Sequence, residues 1–397
     1  MGSGKSQFAI QKMNEDTEND YIYITPYLDE IKRIRENCKS RKFVEPKENE
    51  ELKIFTKSKS LKGWLKNNAN IATTHSLFKI IDEETRSLLD ASNYVLVLDE
   101  VMDVVQQIPL SKADQWLIFE ESKLLAVDES GLVVLGEGAS NYEGSGKFTE
   151  LIYMAQLGRL FKFQNVVLLW EFPVEVFSHF KEVWILTYMF DGQIQKYFFD
   201  FYNVPYIKHM VIKDEDKYKI IPYDKSVDKD RITHLKSKIN IYSDKKLNAI
   251  GDKNTNLSYS WYKEASTSVK DKMGCNIYNY FRHISKVKSS DCLWTCFKEF
   301  NLNVQGYKRA FIPHNLRATN EYSNTHTLAY CVNRYISPFL INYFKTKDVN
   351  VNQELYALSE MLQWIWRSRI RNDESINIYI PSSRMRKLLI EYLDCKI

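Results

Sequence analysis

A short glycine-rich run at the start of the chain has the composition of a phosphate-binding loop. Residues Gly2, Ser3, Gly4, Lys5 and Ser6 match the second half of the pattern GxxxxGK[ST]. In such a loop the backbone N–H groups surround the phosphates, the lysine reaches the β and γ oxygens, and the hydroxyl binds Mg²⁺. A helix predicted directly after the run would point its positive end at the phosphates. The run therefore predicts binding of ATP and Mg²⁺.

Two adjacent acidic residues follow an apolar run of strand type. Residues 94–98 read YVLVL, and Asp99 and Glu100 come directly after them. A buried strand that ends in Asp-Glu delivers the first carboxylate to a magnesium ion and the second to the attacking water. Because the loop-like run lies about ninety residues upstream, the two features together predict hydrolysis of a nucleoside triphosphate. A strand that ends in two solvated acids is the alternative.

A third candidate group lies near the end of the chain. Gln363, Arg367 and Arg371 are spaced by four residues within a predicted helix, 352–371. Residues four apart share one helix face, so these side chains can meet a triphosphate held by another part of the chain. Arginines placed in this way stabilise the charge on a transferred phosphoryl group. An exposed basic helix face is the alternative.

Alternating strands and helices must position these residues. Short apolar or β-branched runs predict strands, and periodic stretches between them predict helices. This alternation predicts an α/β fold with parallel sheets. The predicted strands are 21–27, 70–74, 94–98, 166–170, 183–188 and 376–380, and the predicted helices are 6–12, 28–38, 75–81, 84–91, 327–345, 352–371 and 383–393.

Composition limits the class of protein. Hydrophobic residues make up 44% of the 397 residues and charged residues 27%, which is typical of a globular protein. The net charge is only +4, yet the stretch 206–290 holds about eighteen basic and ten acidic residues, a local surface suited to a phosphate backbone or simply to solvent. The six scattered cysteines do not predict zinc, and no apolar run is long enough for a membrane span. A soluble, cytoplasmic protein is expected.

Seven runs of this sequence together resemble motifs I, Ia, Ib, II, III, V and VI of superfamily-2 DEAD/DEAH-box helicases. In chain order they read GSGKS, YIYITPY, IATTHSLF, VLVLDEV, WILTYMF, RATNEY and QWIWRSRIR. The chain is most similar to the helicase-family proteins that bacteriophages and mobile elements encode, and the resemblance covers nearly the whole chain. Motifs I, II and VI are specific in combination, whereas the other four are individually weak.

The resemblance implies two RecA-like P-loop NTPase lobes, 1–192 and 257–397, with an inserted segment, 193–256, between them. ATP and Mg²⁺ would bind in the cleft, and Thr187 would couple hydrolysis to contacts with a nucleic-acid strand. The implied site residues are Gly2, Ser3, Gly4, Lys5 and Ser6 for the nucleotide; Ser6 and Asp99 for the metal; Lys5, Asp99, Glu100, Gln363, Arg367 and Arg371 for catalysis; and Thr73, Thr74, His75, Thr319 and Asn320 for nucleic acid.

The chain departs from the family pattern in three places. Trp366 stands where motif VI usually has glycine, and the arginine spacing of that motif is stretched by one residue. The sequence also starts inside motif I, which predicts an N-terminal truncation. The strand that normally leads into the loop is then expected to be missing from beside the predicted strand 94–98, which precedes Asp99 and Glu100.

The sequence thus predicts a nucleic-acid-dependent ATPase of the helicase or translocase type, serving phage or mobile-element DNA replication in the host cytoplasm. Single-stranded DNA is the preferred partner over RNA, with replication proteins as further partners and no membrane. Two alternatives stay open. One is a catalytically weakened helicase-like module that binds nucleic acid or protein, and the other is an adaptor whose tyrosine-rich middle binds another protein.

Overall fold

Two parallel β-sheets flanked by helices form the framework of the chain. The architecture comes from a computed structural model that describes residues 2–48, 56–79, 81–144, 146–300, 302–316 and 321–397. The predicted α/β class with parallel sheets is confirmed. Among the described residues, no helix combines the length and the apolar character that crossing a membrane requires.

The first lobe starts with the helix that follows the glycine-rich run. The side chains of its strands alternate between two apolar layers: Tyr21 and Tyr23 face helices at one side, and Ile22 and Ile24 face the opposite side. The elements are α1 (Lys5–Glu15), β1 (Asp20–Thr25), α2 (Leu28–Asn37), β2 (Phe43–Val44), α3 (Lys57–Leu65), β3 (Asn70–Thr74), α4 (His75–Phe78), α5 (Glu83–Asp90) and β4 (Tyr94–Asp99).

A small antiparallel subdomain follows the acidic pair. It comprises β5 (Val105–Ile108), α6 (Lys112–Trp116), β6 (Leu125–Val127), β7 (Val133–Leu135), α7 (Lys147–Gln156), β8 (Leu160–Phe163) and β9 (Val167–Glu171). The strand predicted over 166–170 therefore exists, but it pairs antiparallel with β5 and β8 and does not extend the parallel sheet. The prediction that it belongs to that sheet is wrong because an apolar run does not reveal the direction of its neighbours.

The chain then returns to the first sheet through β10 (Glu182–Leu186). The strand order is β10-β4-β1-β3-β2, all parallel. Strand β4, which leads into the acidic pair Asp99 and Glu100, has β1 on one side and β10 on the other. The expectation that a strand is missing beside β4 is therefore wrong. The carboxyl ends of β1, β4 and β10 meet at one edge of the sheet, where ligands of open α/β sheets bind.

The middle of the chain links the lobes through a hairpin. It contains α8 (Ile194–Phe201), β11 (His209–Asp214), β12 (Lys217–Pro222), α9 (Lys225–Lys236), β13 (Ile239–Ile241) and α10 (Lys245–Asn248). Strands β11 and β12 pair antiparallel. Strand β13 pairs in parallel with a strand near the end of the chain. The second sheet thus begins inside the range predicted as an insertion.

The second lobe has a four-stranded parallel sheet in the order β13-β16-β15-β14. A helix was expected over 327–345, but the stretch divides into a strand and a helix because Pro338 opens a new helix at its first position. The elements are α11 (Tyr259–Glu264), α12 (Thr267–Asn279), β14 (Cys292–Thr295), β15 (Thr327–Tyr330), α13 (Pro338–Lys345), α14 (Gln353–Ile365), β16 (Ile376–Tyr379) and α15 (Ser383–Leu393).

Candidate functional site

The glycine-rich run forms a tight loop that leads directly into α1. Gly2 and Gly4 have φ angles of +69° and +79°, a left-handed conformation that glycine adopts without strain. Ser3 lies between them, and the first helical hydrogen bond runs from the Phe8 N–H to the Gly4 carbonyl at 2.8 Å. Left-handed residues followed by a helix N-terminus make a backbone shape that can bind an anion.

The structure brings Ser6 and Asp99 together at the carboxyl edge of the first sheet. The Ser6 hydroxyl donates to Oδ1 of Asp99 over 3.1 Å, although 93 residues separate the two in the chain. Asp99 is 7% exposed. Its pKa is raised to about 6, first by burial and then by the charges of Glu100 and Glu30, while the hydroxyls of Tyr23 and Ser6 oppose the rise.

Glu100 is held in an unusual backbone conformation directly after Asp99. Its φ angle of +75° is uncommon for a non-glycine residue and costs on the order of 1–3 kcal/mol. Its N–H donates to the Leu186 carbonyl at 3.3 Å, and the Thr187 hydroxyl donates to its Oε2 at 3.4 Å. Leu186 at the end of β10 and Thr187 directly after it therefore hold the backbone and the carboxylate of this residue. The coupling role that the resemblance implies for Thr187 stays a prediction.

Lys5 occupies the first position of α1 and is partly buried. Its burial lowers the pKa of its ammonium group, and the nearby carboxylates of Glu100 and Asp99 oppose that change. Asp228 and Arg231 of α9 act on the same group from the side of the second lobe. These two residues were not predicted, because nothing in their local sequence marks them as neighbours of Lys5.

A second group that sequence reasoning missed lies beside Asp99 on α2. Glu30 and Arg33 form an ion pair of 2.7 Å, and both side chains are largely buried. Arg33 lies within electrostatic reach of Asp99. Arg371, a residue of the second lobe, lies within electrostatic reach of both Glu30 and Arg33. The three-residue spacing of an acid and a base on a predicted helix was the available signal. That spacing predicts an ion pair on a helix surface, however, and does not show that the pair lies beside the site.

The predicted helix that carries Gln363, Arg367 and Arg371 ends early. Helix α14 stops at Ile365, and Arg371 lies in a separate 3₁₀ turn, Arg369–Asn372. The prediction that the three residues share one helix face is therefore wrong: the Ser368 hydroxyl binds the Ile365 carbonyl at 2.7 Å and helps close the helix end. Gln363 and Arg367 are buried at 6% and 8% exposure.

Aromatic rings from the rest of the chain contact both loop glycines. A β-carbon added to Gly2 would lie 3.3 Å from Nε1 of Trp366, and one added to Gly4 would overlap the ring of Tyr218. Tyr218 belongs to β12, and its backbone N–H and carbonyl both bind the Gln11 side chain of α1, at 2.8 and 3.2 Å. The hairpin is thus docked on the loop and on its helix.

The residues predicted to contact nucleic acid are only partly described. Strand β3 ends at Thr74 and α4 begins at His75, so Thr73, Thr74 and His75 follow one another at the carboxyl end of that strand. Thr73 is 4% exposed. Thr319 and Asn320 lie outside the described residues. The nucleic-acid set stays a prediction.

The donor set at Asp99 suits magnesium better than a metal that needs an all-protein cage. In the described part of the chain, no three His, Cys, Asp or Glu side chains are grouped to hold a metal ion. Mg²⁺ prefers oxygen ligands, keeps several waters and uses one or two protein groups together with substrate phosphates. The adjacent Ser6 hydroxyl and Asp99 carboxylate fit that requirement.

The raised pKa of Asp99 predicts a pH-dependent stability. The folded state holds the proton up to a pKa of about 6, against 3.8 when the group is solvated. The contribution of the protonated Asp99 carboxyl to the stability of the fold is therefore complete below pH 3.8. It is lost as the pH rises through about 6. We expect Asp99→Asn to raise the free energy of unfolding at pH 8 by on the order of 2–3 kcal/mol. Urea denaturation of the ligand-free protein measures it.

The same experiment carries its own control. Asp216→Asn changes an exposed carboxylate in the turn of the β11–β12 hairpin. It should alter the free energy of unfolding little at pH 8 or at pH 5. The gain from Asp99→Asn should be larger at pH 8 than at pH 5, because the wild-type carboxylate is more fully ionised at the higher pH. An equal gain at both pH values would contradict the buried, ionisable environment of Asp99.

The fold and site define an α/β protein of two parallel-sheet lobes with a glycine loop and an acidic pair at the carboxyl edge of the first sheet. Residues 233–393 match the model of the YonV C-terminal Rossmann-like domain. The chain is 42% identical over 401 residues to the SPbeta prophage-derived uncharacterized protein YonV of Bacillus subtilis (strain 168), which covers 99% of this chain and 97% of that protein. The chain belongs to the YonV family.

A solved structure also aligns with the chain. The structure of S. tokodaii Xpd4 aligns over 100% of this chain and 92% of its own, with 11% sequence identity and a TM-score of 0.43. These values are too low to support an inference about function.

Proposed function

We propose that this chain is a nucleic-acid-dependent ATPase of the superfamily-2 helicase or translocase type. The observation that carries the proposal is the hydrogen bond from Ser6, in the first turn after the glycine loop, to Asp99 at the end of β4. A loop hydroxyl beside a strand-end carboxylate is the arrangement that P-loop NTPases use for the magnesium of Mg-ATP. The left-handed Gly2 and Gly4 support the same conclusion.

Each residue of the site has a role that follows from its position. The backbone N–H groups of the loop and the Lys5 ammonium bind the phosphates of ATP. Ser6 and Asp99 hold Mg²⁺, which when bound neutralises charge on the phosphate oxygens. Glu100 orients the attacking water and accepts its proton, and the Thr187 hydroxyl keeps the carboxylate in place.

Residues of the second lobe complete the phosphate site. Arg371 lies within electrostatic reach of Glu30 and Arg33 on the first lobe. Closure of the lobes on ATP brings Gln363, Arg367 and Arg371 to the γ-phosphate, where positive charge stabilises the transferred phosphoryl group. Single-stranded DNA binds across the lobes, with Thr73, Thr74, His75, Thr319 and Asn320 along its path.

The biological setting is part of the proposal. The name of the Bacillus subtilis relative describes it as prophage-derived. This supports a role for the present chain in phage or mobile-element DNA replication, in the host cytoplasm and together with replication proteins.

The direct test is ATP hydrolysis by the full chain, with and without single-stranded DNA or RNA. We expect phosphate release that requires Mg²⁺ and that rises when single-stranded DNA is added, with a smaller rise for RNA. Raising the salt concentration should reduce the stimulation, because contacts to a phosphate backbone release counterions. Binding of ATP without any turnover, at every nucleic-acid concentration, would overturn the ATPase assignment.

A second candidate function is a helicase-like module that grips nucleic acid or protein without hydrolysing ATP. The observation that favours it is the contact of the Tyr218 ring with Gly4, because a side chain packed on the loop competes with the ordering of phosphates there. Salt-dependent DNA binding combined with an absence of ATP binding would favour this candidate.

A further inference from the structure

Trp366 presents one edge of its indole ring to the glycine loop. The three atoms nearest to a β-carbon built on Gly2 are Nε1 at 3.3 Å and Cε2 and Cζ2 at 3.9 Å, all of Trp366. The edge that carries the N–H group is therefore the edge that faces the loop. Trp366 caps the carboxyl end of α14, so the ring reaches the first lobe from the second.

The indole N–H is buried and has no hydrogen-bond partner among the described residues. A buried tryptophan N–H usually finds an acceptor, and a buried donor without one is unfavourable. The missing acceptor should therefore be something that the loop itself binds. The amide of Gln363, three residues earlier on the same helix, likewise has a buried N–H₂ group with no partner in the described part of the chain.

We propose that the Trp366 indole N–H is a hydrogen-bond donor to the phosphate chain of the bound nucleotide, supplied to the loop by the second lobe. The inference rests on the proposed function, because it assumes that the loop binds phosphates. Phosphate oxygens are charged acceptors, and hydrogen bonds to them are stronger than hydrogen bonds between neutral groups. A donor that crosses from one lobe to the other also favours the closed arrangement of the lobes when phosphate is bound.

A neighbouring tryptophan provides a matched control. Trp364 also has a buried indole N–H with no described partner, but its ring packs against Tyr330 in the core of the second lobe, with the ring centroids 5.4 Å apart. Trp364→Phe and Trp366→Phe each remove one indole N–H and keep an aromatic ring. Only the second removes a group that faces the loop.

The test is calorimetric binding of Mg-ATP and of inorganic tripolyphosphate to the full chain and to both variants. Trp366→Phe should weaken the binding of both ligands by the same factor, roughly tenfold or more, as expected for the loss of a hydrogen bond to a charged acceptor. Trp364→Phe should stay within about twofold of the wild type. Loss of ATP binding with tripolyphosphate binding unchanged would overturn the inference, because the ring would then be contacting the nucleoside.

A spectroscopic measurement on the wild-type chain makes the result independent of any folding defect in the variants. With ¹⁵N-labelled tryptophan, the Trp366 indole N–H resonance should shift when tripolyphosphate is added, while that of Trp364 stays in place. If the wild-type chain binds tripolyphosphate and the Trp366 resonance does not move, the inference fails and the proposed function stands. If the wild-type chain binds neither ligand, the proposed function fails and the inference fails with it.

Discussion

Lys5→Ala is expected to weaken ATP binding by at least roughly a hundredfold, and hydrolysis should be lost with it. Lys5 begins α1 directly after the glycine loop and lies within electrostatic reach of the carboxylates of Asp99 and Glu100. Without the ammonium group, a triphosphate in the loop would face two negative side chains and lose its main charge-assisted contact. Calorimetric titration with Mg-ATP measures the loss.

Two controls separate this effect from a folding defect. Lys12→Ala removes an exposed lysine from the same helix, and we expect its ATP affinity to stay within about twofold of the wild type. The thermal unfolding midpoint of Lys5→Ala should not fall, since burial of the ammonium group already lowers its pKa and makes its charge costly to the folded protein. An unchanged ATP affinity in Lys5→Ala would show that the loop is not a phosphate site.

Local sequence was sufficient where a strand or helix carries its own start and stop signals. The strand over 70–74 and the helix over 383–393 were predicted with the bounds that the structure has. The helix begins after Ser382, whose hydroxyl accepts from the Met385 N–H and caps it. Asn68, which has a left-handed φ of +49°, forms a turn shortly before the strand begins.

Sheet membership was harder to predict because an apolar run has the same appearance in either kind of sheet. The run 166–170 was assigned to the parallel sheet and instead lies in the antiparallel subdomain between β4 and β10. The boundary near Ile365 failed for a related reason. No glycine or proline directly follows Ile365 to mark the end of the helix, and the contacts of Ser368 and the 3₁₀ turn show where it stops.

The chemistry-bearing residues were found where a motif fixes their spacing and were missed where packing brings them together. Ser6 and Asp99 belong to two recognisable motifs, and the structure joins them by a hydrogen bond. Tyr218 and Gln11 are 207 residues apart, and no local pattern links them. The same holds for Trp366 and Gly2, which approach each other only because the second lobe packs against the loop.

Glu100→Gln is expected to lower the rate of ATP hydrolysis by two or more orders of magnitude and to leave ATP binding almost unchanged. Glutamine has nearly the shape of glutamate, so the hydrogen bonds of this position with Leu186 and Thr187 can persist. The amide cannot accept a proton from the attacking water, which removes the general-base step. Single-turnover hydrolysis and calorimetric binding of Mg-ATP measure the two effects separately.

The substitution should also change the neighbouring carboxylate in a defined direction. The charge of Glu100 is the largest electrostatic contribution that raises the pKa of Asp99 after burial. Its removal should lower the pKa of Asp99 and favour the ionised form that holds Mg²⁺, so ATP affinity should stay equal or rise slightly. Glu129→Gln, in an exposed turn of the antiparallel subdomain, should change neither rate nor affinity. If Glu100→Gln hydrolyses ATP at the wild-type rate, the water must be activated by a different group, and Glu30, the other acid whose charge reaches Asp99, becomes the candidate to substitute.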